Sequence, residues 1–331
     1  MAPLPVKLFA LQESAELAAT VAGALKTPLS AVEERAFEDG EGKLRSLENV
    51  RGCATVILQT LDGEPNCSVH DKLCRLLFLI GALRQAGASG VTVMAPYLCY
   101  ARKDRQTQPR DPVTIQYVAR MMEAVGCDRV VTLDVHNLAA FQNAFRCRTD
   151  HLDAQGLFAR ELLQQVGAAD LAVVSPDVGG VKRVERFRRR LAEESGRPVT
   201  DAFVRKHREG GVVSGEGLIG EVASRQAVIL DDLISSGTTI VRAARACKAA
   251  GATVVHAVAT HGLFAHHARE MLADPAIDRL VVTNSVRPWR LVGSAVEDKL
   301  TVLDIAPLLA EAIRRIHSGD SLVELLADGT T

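Results

Sequence analysis

Short apolar, β-branched runs alternate with segments of helical period along almost the whole chain. The runs at 6–9, 55–59, 91–95, 130–133, 171–175, 228–230, 254–259, 280–283 and 300–303 predict strands, and the segments 13–25, 71–85, 114–125, 180–194 and 307–316 predict helices. Strands that are apolar throughout, rather than at every second position, belong to sheets covered on both faces. The pattern therefore predicts an α/β protein whose mainly parallel sheets are flanked by helices. It restarts near 152–156, which places a boundary there: an N-terminal domain over 1–152 and a C-terminal domain over 153–304, with the helical segment 305–327 joining the first. A length of 331 residues is long for a single core and agrees with two.

One stretch breaks the rhythm. Between 195 and 221, Gly196, Pro198, Gly210, Gly211, Gly215, Gly217 and Gly220 surround the basic cluster Arg205, Lys206, His207 and Arg208. A glycine-rich cationic insert inside a compact domain predicts a mobile functional lid over 196–221, with a solvated hairpin as the plainer alternative.

Composition narrows the partners. The chain is 47% apolar and 24% charged with a net charge of −1, which gives no support to a nucleic-acid or anionic-membrane partner. Apolar runs such as 76–80 are far too short to span a bilayer, and no signal peptide is visible, so a cytoplasmic protein is expected. Seven scattered cysteines without a CxxC pair fit reduced thiols. Anion binding must then come from local sites.

The strongest local site is 226–241. A buried strand is expected to end at Leu230, followed by Asp231 and Asp232, then Ser235, Ser236, Gly237, Thr238 and Thr239 before a helix. Backbone N–H groups at a helix start, joined by hydroxyls, suit a phosphate, and the acidic pair suits sugar hydroxyls or a metal bound to such a ligand. A single N-cap would need only one of these hydroxyls. Other groups stand at strand ends. Asp134 and His136 follow the strand 130–133 and suit a divalent ion bridging phosphates. Asp177 with Gly179 and Gly180 follows 171–175. The segment 97–105, with Tyr97, Tyr100, Arg102, Lys103, Asp104 and Arg105, follows 91–95 and suits a polyphosphate and a base. Phe37, Glu38, Asp39, Gly40 and Glu41 form an acidic turn after an N-terminal helix. The GxGxxG of Gly215, Gly217 and Gly220 precedes a strand rather than following one, so it is not a dinucleotide fingerprint.

Taken together, in this order along the chain, these motifs resemble the ribose-phosphate diphosphokinases, also called phosphoribosyl pyrophosphate synthetases. Phe37-Glu38-Asp39-Gly40-Glu41 resembles that family's turn for the ATP base, and the segment from Tyr100 to Arg105 its second ATP segment. The stretch with Asp134 and His136, and Asp150 to Leu152, resembles its metal-bearing region. Lys206 to Arg208 and the stretch around Asp177 resemble its catalytic regions. The loop Asp231 to Thr239 is similar to the phosphoribosyl-binding loop that phosphoribosyltransferases share, with Ser235 where the diphosphokinases commonly carry an acidic residue.

The resemblance implies two similar phosphoribosyltransferase-like domains and diphosphoryl transfer from ATP to the C1 hydroxyl of ribose 5-phosphate, releasing AMP. It implies catalysis by Lys206 and Arg208; ATP contacts from Phe37, Asp39, Gly40, Glu41, Arg102, Lys103 and Asp104; and pentose-phosphate contacts from Asp231, Asp232, Ser235, Ser236, Gly237, Thr238 and Thr239. Mg²⁺ would be held near His136, Asp177 and Asp134. The partners are ATP and ribose 5-phosphate, and the assembly a homo-oligomer built from dimers, up to a hexamer. A phosphoribosyltransferase, or a non-catalytic regulatory homologue, stays open beside this reading.

Overall fold

A computed structural model describes residues 6–209, 212–265 and 267–328, with side chains for all of these except 206–209 and 212–216. The chain divides into two compact units, one formed by residues up to Asp153 together with those from Ile305 onward, the other by Ala154–Asp304.

The first unit holds a parallel sheet in the order β1 (Val6–Ala10), β4 (Ala54–Leu58), β5 (Gly90–Ala95), β6 (Arg129–Leu133), β7 (Arg148–Leu152). β5 is buried from Val91 through Ala95, on both faces, as its apolar run, interrupted only by Thr92, requires. One face packs on α2 (Val69–Gln85) and α3 (Thr114–Ala124) through Ile57, Val91, Val93 and Val130 against Leu76, Leu83, Val118 and Met122. α2 starts two residues earlier than the apolar period predicts. Ser68 caps it, accepting from Asp71 N–H at 3.2 Å, while the Asp71 carboxylate returns to Ser68 N–H at 2.8 Å. α1 (Ala15–Leu25) packs against α9 (Ala306–Ser318), which α10 (Leu322–Asp328) follows.

Three strands of this unit were not legible from apolar runs. β2 (Val32–Ala36) and β3 (Gly42–Ser46) form an antiparallel hairpin apart from the sheet, so the acidic turn at Phe37–Glu41 is its tip rather than a turn after a helix. β7, with the sequence RTDHL, is a polar strand at the sheet edge.

The second unit holds α5 (Gln155–Val166) and a sheet in the order β10 (Val212–Gly220), β9 (Val199–Glu209), β8 (Leu171–Ser175), β11 (Gln226–Ile234), β12 (Val254–Gly262), β13 (Arg279–Thr283), β14 (Leu300–Leu303). Only β10 runs antiparallel to its neighbour among these described strands. α7 (Thr238–Ala249) and α8 (Ala268–Leu272) cover one face through Ile240, Val241, Ala244 and Leu272. α6 (Val181–Ser195) lies against β8, β9 and β11, with Val184, Phe187 and Leu191 buried.

Within the expected lid over 196–221, where residues 210 and 211 lie outside the described residues, Val199–Glu209 and Val212–Gly220 pair as the antiparallel ribbon β9–β10, and β9 runs parallel to β8. Beneath its glycines runs a period of two: Ala202 and Val204 are buried while Asp201 and Arg205 are exposed. Gly220, at φ +120°, passes so close to the opposite strand that a Cβ there would lie 2.4 Å from Asp201 O. That close approach requires the glycine at 220.

β11 also runs past its expected end. It continues through Asp231 to Ile234, so the acidic pair lies within the strand rather than beyond it.

Candidate active site

In the second unit, the last residues of β11 and the first turn of α7 build the site. Ile234 O accepts from Leu263 N–H at 3.0 Å and Phe264 N–H at 3.1 Å, which ties the strand end to the chain leaving β12. Gly237 then caps α7 in the left-handed region at φ +80°, where a Cβ would lie 3.0 Å from Leu272 Cγ and Cδ2. No other residue fits that corner without displacing α8. Around it stand Ser235 and Ser236, half-buried, and Thr238 and Thr239, exposed, with Ser236 Oγ and Thr238 Oγ1 3.1 Å apart. Hydroxyls and the N-terminus of a twelve-residue helix thus share one corner, the chemistry that holds a phosphate.

The acidic pair has a partner that sequence reasoning missed. Arg183, on the first turn of α6, places Nη1 2.9 Å from Asp231 Oδ1 and Nη2 2.8 Å from Asp232 Oδ1. Burial, and then the charge of Asp232, push the Asp231 carboxyl up to about 7 against the opposing pull of Arg183. A contact across 48 residues leaves no local mark in the sequence. Asp177 lies on the turn leading into α6. Its Oδ1 accepts from Gly179 N–H at 2.8 Å and Gly180 N–H at 3.1 Å, so it serves as a cap. A Cβ on Gly180 would meet Ser175 Oγ at 2.6 Å and approach Arg183 Nη1 at 3.9 Å, which puts this turn beside the Arg183 pair.

In the first unit, Asp104 and the turn after β6 come together. Asn137 Nδ2 donates to Asp104 Oδ2 at 2.6 Å while its Oδ1 caps the next helix. Asp134 is held at φ +40°, unusual for a residue with a Cβ, its N–H donating to Leu152 O at 2.8 Å. Val135 N–H donates to His151 Nε2 at 3.2 Å, which leaves the His151 proton on Nδ1. Between these anchors Asp134 is half-buried and His136 exposed. Lys103 is tied to Asp111, Nζ to Oδ2 at 2.8 Å, and this contact leads those holding the Asp111 carboxyl well below the usual range; Arg102 and Arg105 are exposed.

At the hairpin tip Phe37 N–H donates to Glu41 O at 2.8 Å, and Glu41 N–H to Asp39 Oδ1 at 3.1 Å, with Gly40 between them. The Phe37 ring is 40% exposed and Arg35 lies 5.4 Å from its centroid. The hairpin is anchored at its base: Arg75 of α2 pairs with Glu34, and Lys7 of β1 with Glu48.

Lys206 and Arg208 lie on β9, in register with Glu216 and Val213. Their side chains fall outside the described residues.

Among the described residues, no three His, Cys, Asp or Glu side chains gather as a metal cage, and no helix is long and apolar enough to cross a membrane.

Comparison with known proteins agrees with this layout. Residues 6–126 match the N-terminal domain of ribose phosphate pyrophosphokinase, and residues 213–327 the phosphoribosyl synthetase-associated domain. The chain is 36% identical over 328 residues to the ribose-phosphate pyrophosphokinase of Clostridium perfringens, covering 98% of each. It is 34% identical to that of Listeria ivanovii, covering 97% of this chain and 96% of the relative. The crystal structure of phosphoribosylpyrophosphate synthetase from Mycobacterium smegmatis superposes with a TM-score of 0.83 at 32% identity, over 95% of this chain and 99% of that one. With relatives this similar over nearly their full length, the chain belongs to the ribose-phosphate pyrophosphokinase family.

Proposed function

We propose that this chain transfers the diphosphoryl group of ATP to the C1 hydroxyl of ribose 5-phosphate, giving 5-phosphoribosyl 1-diphosphate and AMP for nucleotide biosynthesis. The observation that carries the reading is kinship over nearly the full length to relatives named for that reaction. The acidic pair and hydroxyl-rich turn of β11–α7 support it from the chemistry of the site. A transferase acting on a base would need that turn but leave the hairpin tip and the Arg102–Arg105 segment of the first unit without a task.

In this reading Ser235, Ser236, Gly237, Thr238 and Thr239 receive the 5-phosphate, and Asp231 and Asp232 accept from pentose hydroxyls. Phe37, with Asp39, Gly40 and Glu41, flanks the adenine. Arg102 and Lys103 face the phosphates, with Asp104 held by Asn137 beside them. A divalent cation, Mg²⁺ by preference, would neutralise phosphate charge. His136 and Asp134 are the residues of the first unit that would hold such an ion, and Asp177 the residue of the second that would hold one of its own. So sparse a donor set suits an ion that keeps waters and leans on its substrate's phosphates.

The C1 hydroxyl oxygen attacks the β-phosphorus and gives up its proton to solvent, the bond from the β-phosphorus to the α–β bridging oxygen breaks, and AMP departs with that oxygen. No covalent enzyme intermediate is needed, so the protein's task is placement and charge. Lys206 and Arg208 provide charge at the transferring group. A homo-oligomer built from dimers, acting in the cytoplasm, completes the proposal.

Purified protein with ATP, Mg²⁺ and ribose 5-phosphate should form AMP only when the pentose is present. Pyrophosphate release from phosphoribosyl diphosphate and a base, without AMP formation, would replace the reading with a transferase. Lys206→Ala should lower turnover by about 100- to 1,000-fold while calorimetry finds ATP binding retained. Near-normal turnover in that variant removes the assigned role.

A further inference from the structure

We propose that Arg183 is a positioning residue that gives the acidic pair its selectivity for a pentose with two adjacent free hydroxyls. The inference rests on the pair being the pentose-hydroxyl site. Neighbouring residues on a strand direct their side chains to opposite faces, so Asp231 and Asp232 do not converge by strand geometry alone. One planar guanidinium grips both, Nη1 on Asp231 at 2.9 Å and Nη2 on Asp232 at 2.8 Å. Asp232 N–H adds a 2.9 Å bond to Asp231 Oδ1.

The gripping group is itself held. Arg183 is 18% exposed and Asp232 3%. α6 is fixed to the sheet through Val184, Phe187 and Leu191, all buried. The positive charge also favours the ionised form of Asp231, the form that accepts from two directions. Lysine offers a point charge in place of a fork and reaches one carboxylate at a time. With the two carboxylates held at a fixed spacing by Arg183, a pentose lacking its 2-hydroxyl meets only part of the pair, which a site built for that hydroxyl rejects strongly.

The test compares kcat and KM for ribose 5-phosphate and 2-deoxyribose 5-phosphate, with ATP and Mg²⁺, in the parent, Arg183→Met, Arg183→Lys and Asp232→Asn, each checked for a folded state by circular dichroism. Arg183→Met should raise KM for ribose 5-phosphate by about tenfold to a hundredfold and cut the ribose-to-deoxyribose preference by at least about tenfold, with the loss falling on KM more than on kcat. Arg183→Lys should recover most of the KM but not the preference. A folded Arg183→Met with parental preference overturns the proposal. If that variant does not fold, Arg183→Lys with parental preference overturns it instead. Asp232→Asn separates the two layers of the argument. If it too leaves KM for ribose 5-phosphate unchanged, the pair is not the pentose site. If it raises KM while the Arg183 variants keep the parental preference, only the role of Arg183 falls.

Discussion

Asp231 sits between opposing influences, and its ionisation should be visible in the rate. Burial and Asp232 push its carboxyl up to about 7, with Arg183 pulling the other way. The pH dependence of kcat/KM reports ionisations of the free enzyme, and only ionised Asp231 accepts fully from a pentose hydroxyl. With a midpoint near 7, about nine-tenths of the enzyme is competent at pH 8 and about one-tenth at pH 6, so Asp231 alone should lower kcat/KM for ribose 5-phosphate about tenfold across that range. The substrate's own phosphate, with a second pKa of about 6, adds only about twofold at pH 6. Asp231→Asn cannot titrate and should keep the twofold fall alone, at a lower absolute rate. Stability should move with it. A carboxyl raised in the folded state makes no difference below its ordinary value near 4, opposes folding progressively as pH rises toward 7, and opposes it fully above. Asp231→Asn should therefore melt above the parent at pH 8, with the gap closing as pH approaches 4. A parent profile flat from pH 6 to 8, or an asparagine variant that keeps the tenfold fall, refutes the reasoning.

Two further predictions concern structure outside the site. Lys72 is fully buried between Asp62 at 2.8 Å and Glu64 at 2.6 Å, so Lys72→Met should cost about 3–5 kcal/mol of stability by leaving two carboxylates uncompensated, read as a lower urea midpoint that Lys72→Met with Asp62→Asn partly restores. His256 is 1% exposed and bonded to Gln226 at 2.8 Å; burial, then Arg279 and Lys248 against Asp278, hold its imidazole down to about 4. The unfolded chain takes up that proton near 6.5, so stability is lost as pH falls through 6.5 toward 4, by about 2 kcal/mol at pH 5. His256→Gln should remove that share of the slope between urea midpoints at pH 7 and 5, and an unchanged slope excludes it.

The α/β class and the central strands were legible because buried parallel strands are apolar on both faces, as β5 and β8 are but for Thr92 and Ser175. The hairpin β2–β3 was hidden because Glu33, Glu34 and Arg35 in VEERA and Lys43 and Arg45 in GKLRS break any apolar run, and neither strand is buried. β9 was masked by the glycines and cations around it, although Ala202 and Val204 already marked its inner face. At the site, the acidic pair and the hydroxyl turn could be read because they are contiguous. Arg183 and Asn137 could not, since each meets its partner only after distant segments fold together.

The division of the chain into units has a consequence for how the protein is made. α1 is among the earliest elements, yet its helical partner α9 is encoded after the whole of Ala154–Asp304. On the ribosome, the surface of α1 that packs on α9 must wait unmatched while the second unit is synthesised, until α9 emerges. Synthesis speed through those intervening residues then sets how long the first unit is exposed to mispairing, so codon choice far from that surface bears on its yield.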